Sequence, residues 1–448
     1  MEYSAALSVD LRQMIIAIET AVSLVGMNDT NHGKRVGYIA SQIGHNLGFS
    51  DADLQYAFDF GLLHDCGVST EQMHSSLVNH FDWEEANIHC NIGYQLLKPF
   101  EPLAKFATPI LYHHTAWSDL PSVNISPYDA RMANLIYLAD RIDVLAAGHY
   151  ETDILIAKQQ VVRTIVGYSG SYFDPELVQA FQSVERSEAF WIALENRHIS
   201  RYAWDMGRVT SKRFLTWPQV KQLSMIMAYI VDQKSPFTAQ HSLRVAELAK
   251  FIAGCYGLSA EQCDKVEIAG LLHDLGKLHT PDNILEKAGP LNDVERAIMN
   301  QHSYETYEIL RHIDGLGEVA RWAAYHHEGI NGAGYPFHPK KSELCLEARI
   351  IAVADIFQAL VQRRPYREGM KQEAVLSILS ELGDSGKLDK EVVKLVTQRA
   401  ADCYQYALGE SAESAQAYLD GLVYQDLSLR SSTGEGVKSS PWAATDSR

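Results

Sequence analysis

GLLHDCG at residues 61–67 and GLLHDLG at residues 270–276 are one motif written twice. The histidines around them repeat as well. The interval from His32 to His64 equals the interval from His241 to His273. The step from His89 to His113-His114 equals the step from His302 to His326-His327. NLIYLADRIDVL (134–145) parallels RIIAVADIFQAL (349–360), which aligns Asp140 with Asp355. The offset between matched positions stays nearly constant from the first pair to the last, so the chain is two similar domains in tandem.

Helical periodicity runs through both halves. LRQMIIAIETAVSLV, VKQLSMIMAYIV, RVAELAKFIAGCYG and EAVLSILSEL place apolar residues at i, i+3, i+4 and i+7, while alternating strand-like runs are scarce. The expected fold is all-α, two tandem helical bundles. The first spans residues 1–197 and the second 217–427. Residues 198–216 mix Arg, Gly, Thr, Ser and Lys without an obvious period and read as a linker, with Thr216-Trp217-Pro218 starting the next helix. Residues 428–448 are rich in Ser, Gly and Thr and read as a disordered tail.

Composition narrows the chemistry. The 448 residues carry a net charge of −17, which disfavours polymeric nucleic acid and anionic membrane as partners but leaves room for a small anion in a local basic pocket. No apolar run approaches the roughly 20 residues that span a bilayer. The start has acidic residues and no basic n-region, so it does not read as a signal peptide. The six cysteines are scattered and form no CxxC, the pattern of reduced thiols in the cytoplasm. A homodimer through the N-terminal helices is compatible with the sequence, though no motif argues for it.

Histidines and aspartates drawn from several helices are a metal-site signature. In the second half the set is His241, His273, Asp274, His302, His326, His327 and Asp355. In the first it is His32, His64, Asp65, His89, His113, His114 and Asp140. Seven donors exceed the needs of one tetrahedral ion, so two divalent ions are expected in the second half, with metal in the first as well. Two ions about 3.5–4 Å apart activate water and clamp the oxygens of a phosphoryl displacement. Neighbouring helical residues diverge by about 100°, so His273-Asp274 can share a site only near a helix end, with Gly276 expected as the terminator. A lone histidine is more often structural than a ligand. His45, His74, His80, His149, His198, His279, His312 and His338 have no repeat partner and are read as structural.

HDLGK (273–277), HHEGINGAGYP (326–336), the downstream Asp355 and RRPYR (363–367) make residues 217–410 resemble the HD-GYP family of the HD metal-dependent phosphohydrolases. The resemblance implies an HD-type helical bundle with an iron or manganese centre, with Mg, Ni and Co as alternatives. It also implies hydrolysis of a cyclic dinucleotide to a linear product. Carried over, the seven residues are the ligands, and Asp274 bridges. Lys277, the other catalytic candidate, meets the phosphate. Gly332 and Gly334 let the loop approach the nucleotide, and Tyr335 stacks on a base or bonds a phosphate. Arg364 and Arg367 bind phosphate, unless RRPYR is only a solvated basic turn.

There are departures from the family pattern. Phe237 stands where three-metal members carry a Glu ligand, which favours two ions. Asn331 and Arg363 stand where members often carry Asp. The first half resembles an HD domain without the GYP elements. Val68 replaces the phosphate-facing Lys, Thr115 replaces the Glu of HHE, and TAWSDLPSVNISPYD contains no GxGYP. Its retained ligands suggest a second phosphohydrolase, such as a 5′-nucleotidase acting on the linear product, with residues 108–117 as the pocket rim. A metal-stabilised structural domain and a sensing module are the alternatives. Two HD domains without other modules also resemble the phosphodiesterases that cleave 3′3′-cyclic GMP-AMP (3′3′-cGAMP), with cyclic di-GMP as the other candidate substrate. The rival readings are a catalytically silent cyclic-dinucleotide binding protein and a broad mononucleotide phosphohydrolase.

Overall fold

The computed structural model describes residues 9–25, 31–79, 87–209, 212–234, 240–362 and 369–409. Phe237, Arg363, Arg364, Arg367, His80 and the tail at 428–448 therefore lie outside the described residues. Among the described residues the chain is α-helical, with isolated β-bridges at Asp10–Phe214 and Ser169–Phe173. The first half contains α1 (Leu11–Val22), α2 (His32–Asn46), α3 (Asp51–Leu63), α4 (Glu71–Asn79), α5 (Asn87–Leu97) and α6 (Ala104–Tyr112). It continues with α7 (Pro127–Ala146), α8 (Ile154–Gly167), α9 (Pro175–Val184), α10 (Glu188–Ile192) and α11 (Asn196–Val209). The second half has α12 (Trp217–Asp232), α13 (His241–Cys255), α14 (Ala260–Leu272), α15 (Asp282–Leu285), α16 (Asp293–Asn300) and α17 (His302–Leu310). It ends with α18 (Gly317–Ala324), α19 (Leu346–Val361), α20 (Gln372–Asp384), α21 (Lys390–Gln398) and α22 (Ala400–Leu408). No helix among the described residues is long and apolar enough to cross a membrane.

The sequence repeat is a structural repeat. His32 and His241 open α2 and α13, both 15 residues long. Ser50 and Ser259 cap α3 and α14, both 13 residues long, and each accepts a backbone N–H three residues on. The leading glycine of GLLHD has a packing reason. A Cβ at Gly61 would sit 2.4 Å from Gly37 Cα, and one at Gly270 would sit 2.8 Å from Ala246 Cα. The bare backbone lets α3 cross α2, and α14 cross α13, at contact distance.

The segment read as a linker is largely folded. Helix α11 covers Asn196–Val209, with Ile199 and Ala203 buried and Tyr202 and Met206 packed on the core. Those four residues follow the i, i+3, i+4, i+7 pattern, which the intervening Arg, Asp and Gly obscured. Beyond it, Leu11 N donates to Arg213 O at 2.9 Å and Leu215 N to Val9 O at 2.9 Å. Thr216 then starts α12, and its N–H donates to Gln219 Oε1 at 2.9 Å.

The halves are docked through α1. It packs on α3 of the first half and on α12 and α17 of the second. Arg12 Nη2 pairs with Asp59 Oδ2 at 2.8 Å within the first half. Gln13 Nε2 donates to Asp314 Oδ2 at 3.0 Å, and Asp314 N donates to Gln13 Oε1 at 2.9 Å, across the halves.

Candidate metal centres

In each half, five helices and the turns after them deliver the donors. Helix α14 ends at Leu272, leaving His273 as its C-cap and Asp274 just outside the regular spiral. That is why two consecutive side chains converge. His326 and His327 stand just past the end of α18, and Asp355 lies on the inner face of α19.

Gly276 does not terminate the helix as a left-handed cap. It lies within a 3₁₀ turn, Leu275–His279, and its role is steric. A Cβ there would sit 2.0 Å from His302 O. At Gly67 the corresponding clash, with His89 O, is at 2.1 Å. The glycine thus sets how closely the third histidine's helix approaches the HD turn. Thr306 completes the contact. Its hydroxyl accepts from Gly276 N at 2.9 Å and donates to His273 O at 3.1 Å.

The seven side chains of the second half converge around Asp274. Its Oδ2 lies 3.2 Å from His273 Nε2 and 3.7 Å from His241 Nε2. Its Oδ1 lies 3.6 Å from His302 Nε2 and 3.8 Å from His326 Nε2. Asp355 Oδ1 is 3.2 Å from His241 Nε2. Two compact donor groups result, His241, His273 and Asp355 on one side and His302, His326 and His327 on the other. One carboxylate faces both.

The first half repeats the arrangement. Asp65 Oδ2 faces His64 at 3.4 Å and His32 at 3.8 Å, while Oδ1 faces His89 at 3.3 Å. The donor groups are His32, His64 and Asp140, and His89, His113 and His114 with Cys90.

The ring nitrogens are pre-set. His273 Nδ1 donates to Gly270 O at 2.7 Å, His302 Nδ1 to Met299 O at 2.6 Å and His326 Nδ1 to Ala323 O at 2.6 Å. His64 and His113 do the same with Gly61 O and Ile110 O, at 2.8 and 2.7 Å. A carbonyl three residues back fixes each tautomer and turns the Nε2 lone pair toward the centre. His32 Nδ1 instead donates to Asp143 Oδ2 at 2.7 Å, a carboxylate also held by Arg35 at 2.6 Å.

Burial pushes His302 down to about 4 and His327 to about 3, so these imidazoles are neutral at neutral pH, the form that can donate to a metal. In the first half burial takes His89 to about 4 and His113 to about 3. Burial opposes ionisation of Asp65, yet His64, His89 and His32 hold it down at about 2. Asp274 is held well below the carboxylate range against burial by His273 and Lys277. His64 Nε2 and Asp274 Oδ1 are buried without a hydrogen-bond partner. Leaving such atoms unsatisfied costs about 1–3 kcal/mol each. Imidazole nitrogen and carboxylate oxygen are the donors a divalent transition ion takes, so the residues fit metal.

The remaining candidates take specific places. Lys277 Nζ pairs with Asp274 Oδ2. The Tyr335 ring lies against His327, centroids 4.8 Å apart, so it packs on the donor group. Gly332 adopts φ +74°, and a Cβ at Gly334 would meet His327 O at 2.4 Å. Gly334 therefore serves the close approach of the loop to its own HHE segment.

Sequence reasoning missed several contributors. Glu328 is buried, and its Oε1 accepts from Phe337 N at 2.6 Å and His338 N at 3.1 Å, folding the GYP loop back over the centre. Asn331 fastens the same loop, donating from Nδ2 to Ser385 O at 3.0 Å, a bond an aspartate cannot make. His74, read as structural, lines the cavity at the first centre, whereas of residues 108–117 only His114 does. Asp143 and Arg141 had no repeat partner to mark them.

Residues 30–148 and 225–392 each match the HD domain family. The chain is 38% identical over 409 residues to the 3′3′-cGAMP-specific phosphodiesterase 1 of Vibrio cholerae, covering 90% of this chain and 95% of that protein. It is 34% identical over 216 residues to a cyclic di-GMP phosphodiesterase of Thermotoga maritima, covering 48% of this chain and 56% of that one. A solved cyclic GMP-AMP-specific phosphodiesterase of V. cholerae superposes with a TM-score of 0.61 at 25% identity, covering 87% of this chain and 97% of that one. With an HD domain in each half, a relative alike over nearly its whole length and a donor cluster at each HD turn, the chain belongs to the HD-GYP phosphodiesterases, metal-dependent hydrolases, in their tandem-HD form.

Proposed function

We propose that the chain hydrolyses a cyclic dinucleotide at the second centre, with 3′3′-cGAMP as the preferred substrate, and releases a linear dinucleotide bearing a 5′-phosphate. The observation that carries hydrolysis is Asp274, whose two oxygens face two separate groups of imidazoles. The preference for 3′3′-cGAMP rests on the likeness to the V. cholerae enzyme along almost the whole tandem length.

Each centre is read as taking two divalent ions, iron or manganese, which supply Lewis acidity and an activated water. Asp274 would span the pair. Lys277, anchored on Asp274, would neutralise charge on the nonbridging phosphate oxygens. Glu328 and Asn331 hold the loop bearing Gly332, Gly334 and Tyr335 where it can cover a nucleotide. Arg364 and Arg367 are assigned as further phosphate donors by their place in the motif. The net reaction consumes one water: its oxygen joins phosphorus, and the sugar 3′-oxygen leaves with a proton. The first domain, which lacks the GYP loop but converges the same donors, is assigned to the phosphomonoester product as a 5′-nucleotidase.

The test is parallel hydrolysis of 3′3′-cGAMP and cyclic di-GMP by purified protein loaded with Mn²⁺ or Fe²⁺. Faster cleavage of 3′3′-cGAMP is expected. Binding without turnover under both metals would make the chain a silent receptor. For the first domain, a His64→Ala/Asp65→Ala variant should stop phosphate release from a 5′-phosphorylated dinucleotide, and unchanged release would reject the nucleotidase assignment.

A further inference from the structure

Among the described residues, each centre has a basic side chain bonded to one of its donor aspartates, but on opposite flanks. In the second centre Lys277 comes from the HD turn and pairs with Asp274. In the first, that position is Val68, buried and apolar. Its cation is instead Arg141, from α7, which bonds Asp140 Oδ2 through Nε at 3.0 Å and Nη2 at 2.7 Å. The residue corresponding to Arg141 in the second half is Ile356. The cation has therefore moved from the bridging aspartate to the downstream one.

On that flank lies a small cavity, lined beyond the donor residues by His74, Leu77, Arg141 and Val144. We infer that this cavity is the anion-binding pocket of the first centre, that Arg141 is its phosphate-binding residue, and that it takes the terminal phosphate of a phosphomonoester. The inference builds on the assignment of the first domain to a phosphomonoester.

Three features support it. A guanidinium is a planar fork that matches phosphate oxygens, and Arg141 is fixed in place by Asp140. Its bonds from Nη1 and Nη2 to Leu77 O, both 3.4 Å, are long, and a phosphate oxygen could replace them at low cost. The cavity is also lined by His32, Asp65, His114 and Asp140, so a phosphate held on Arg141 would reach the ions those donors would hold. A terminal phosphate, with three unesterified oxygens, can enter end-on, whereas an internal phosphodiester carries a sugar on both sides.

The experiment uses full-length, Mn²⁺-loaded protein with the second centre disabled by His273→Ala and His302→Ala. Binding of inorganic phosphate is measured by calorimetry, alongside manganese content. Arg141→Gln should weaken phosphate binding at least about tenfold at unchanged manganese content, with Arg141→Lys intermediate. Should the Gln variant not fold, Arg141→Lys carries the test, because it keeps the charge and loses only the fork. Parent-like phosphate binding in the variants overturns the inference. So does a loss that tracks manganese and is restored by added Mn²⁺, since Arg141 would then act only through Asp140. Phosphate release from a 5′-phosphorylated dinucleotide is scored separately. Binding that depends on Arg141 without release sinks the nucleotidase assignment alone, and release that ignores Arg141 sinks this inference alone.

Discussion

Replacing Gly276 with alanine tests how the second centre is assembled. The added Cβ would lie 2.0 Å from His302 O and 2.8 Å from Glu305 Cβ. A carbon and an oxygen need about 3.2 Å, so α17 must retreat by roughly 1 Å, carrying His302 with it. Thr306 is drawn off Gly276 N at the same time. Overpacking of this kind costs about 1–3 kcal/mol. In a domain of this size that lowers the melting temperature by about 2–10 °C. Misplacing a reacting-site group by about 1 Å costs about 10²-fold in rate. Thermal unfolding, metal content and hydrolysis of 3′3′-cGAMP should therefore all change, with the rate affected most. Gly67→Ala should produce the same loss in the first centre. A Gly276→Ala protein with parental stability and rate would refute the argument that backbone contact sets the distance between the donor groups.

Other consequences are smaller or lie elsewhere. Asn331→Asp removes the donor to Ser385 O and should cost about 1 kcal/mol of loop anchoring, read as a several-fold rise in KM. The ratio of rates on 3′3′-cGAMP and cyclic di-GMP should not move, and a changed ratio would show that this position contacts the base. Arg12→Met leaves Asp59 buried without its cation and should cost about 3–5 kcal/mol by urea unfolding, with a parent-like midpoint contradicting it. Burial, the leading influence, leaves His89, His113, His114, His241, His302, His326 and His327 below the ordinary 6.5, while His32 and His273 are raised above it by neighbouring carboxylates. From pH 6.5 downward the unfolded chain thus binds more protons than the native one. The chelator-treated protein should lose about 1 kcal/mol or more per unit between pH 6 and 5, and a flat or rising profile would contradict this.

What could be read in advance depended on whether a residue leaves a mark in one dimension. His64 and His273 did, because the donor set occurs twice with nearly constant spacing and two independent copies check each other. Their convergence followed from a local rule, that adjacent side chains meet only at a helix end. Gly276 was visible but was given the wrong role. A glycine after a helix ordinarily signals a left-handed cap, and only the path of α17 reveals the contact with His302 O. Helix α11 was hidden because Ile199, Tyr202, Ala203 and Met206 are diluted by polar residues on its exposed side. Asp143, Arg141 and His74 act across contacts between helices distant in sequence and have no counterpart in the other half. Glu328 was visible within HHE, but its partners, Phe337 N and His338 N, are backbone groups of a loop whose path the sequence does not specify.

The account rests on paired cations held astride one aspartate in each half. Anomalous diffraction from crystals of the Mn²⁺- or Fe²⁺-loaded protein, collected on both sides of the metal edge, counts and places them directly. It should show two peaks per domain, one on each side of Asp274 and one on each side of Asp65. A well-folded protein with a single peak per domain, or with its ions away from these carboxylates, would contradict the account.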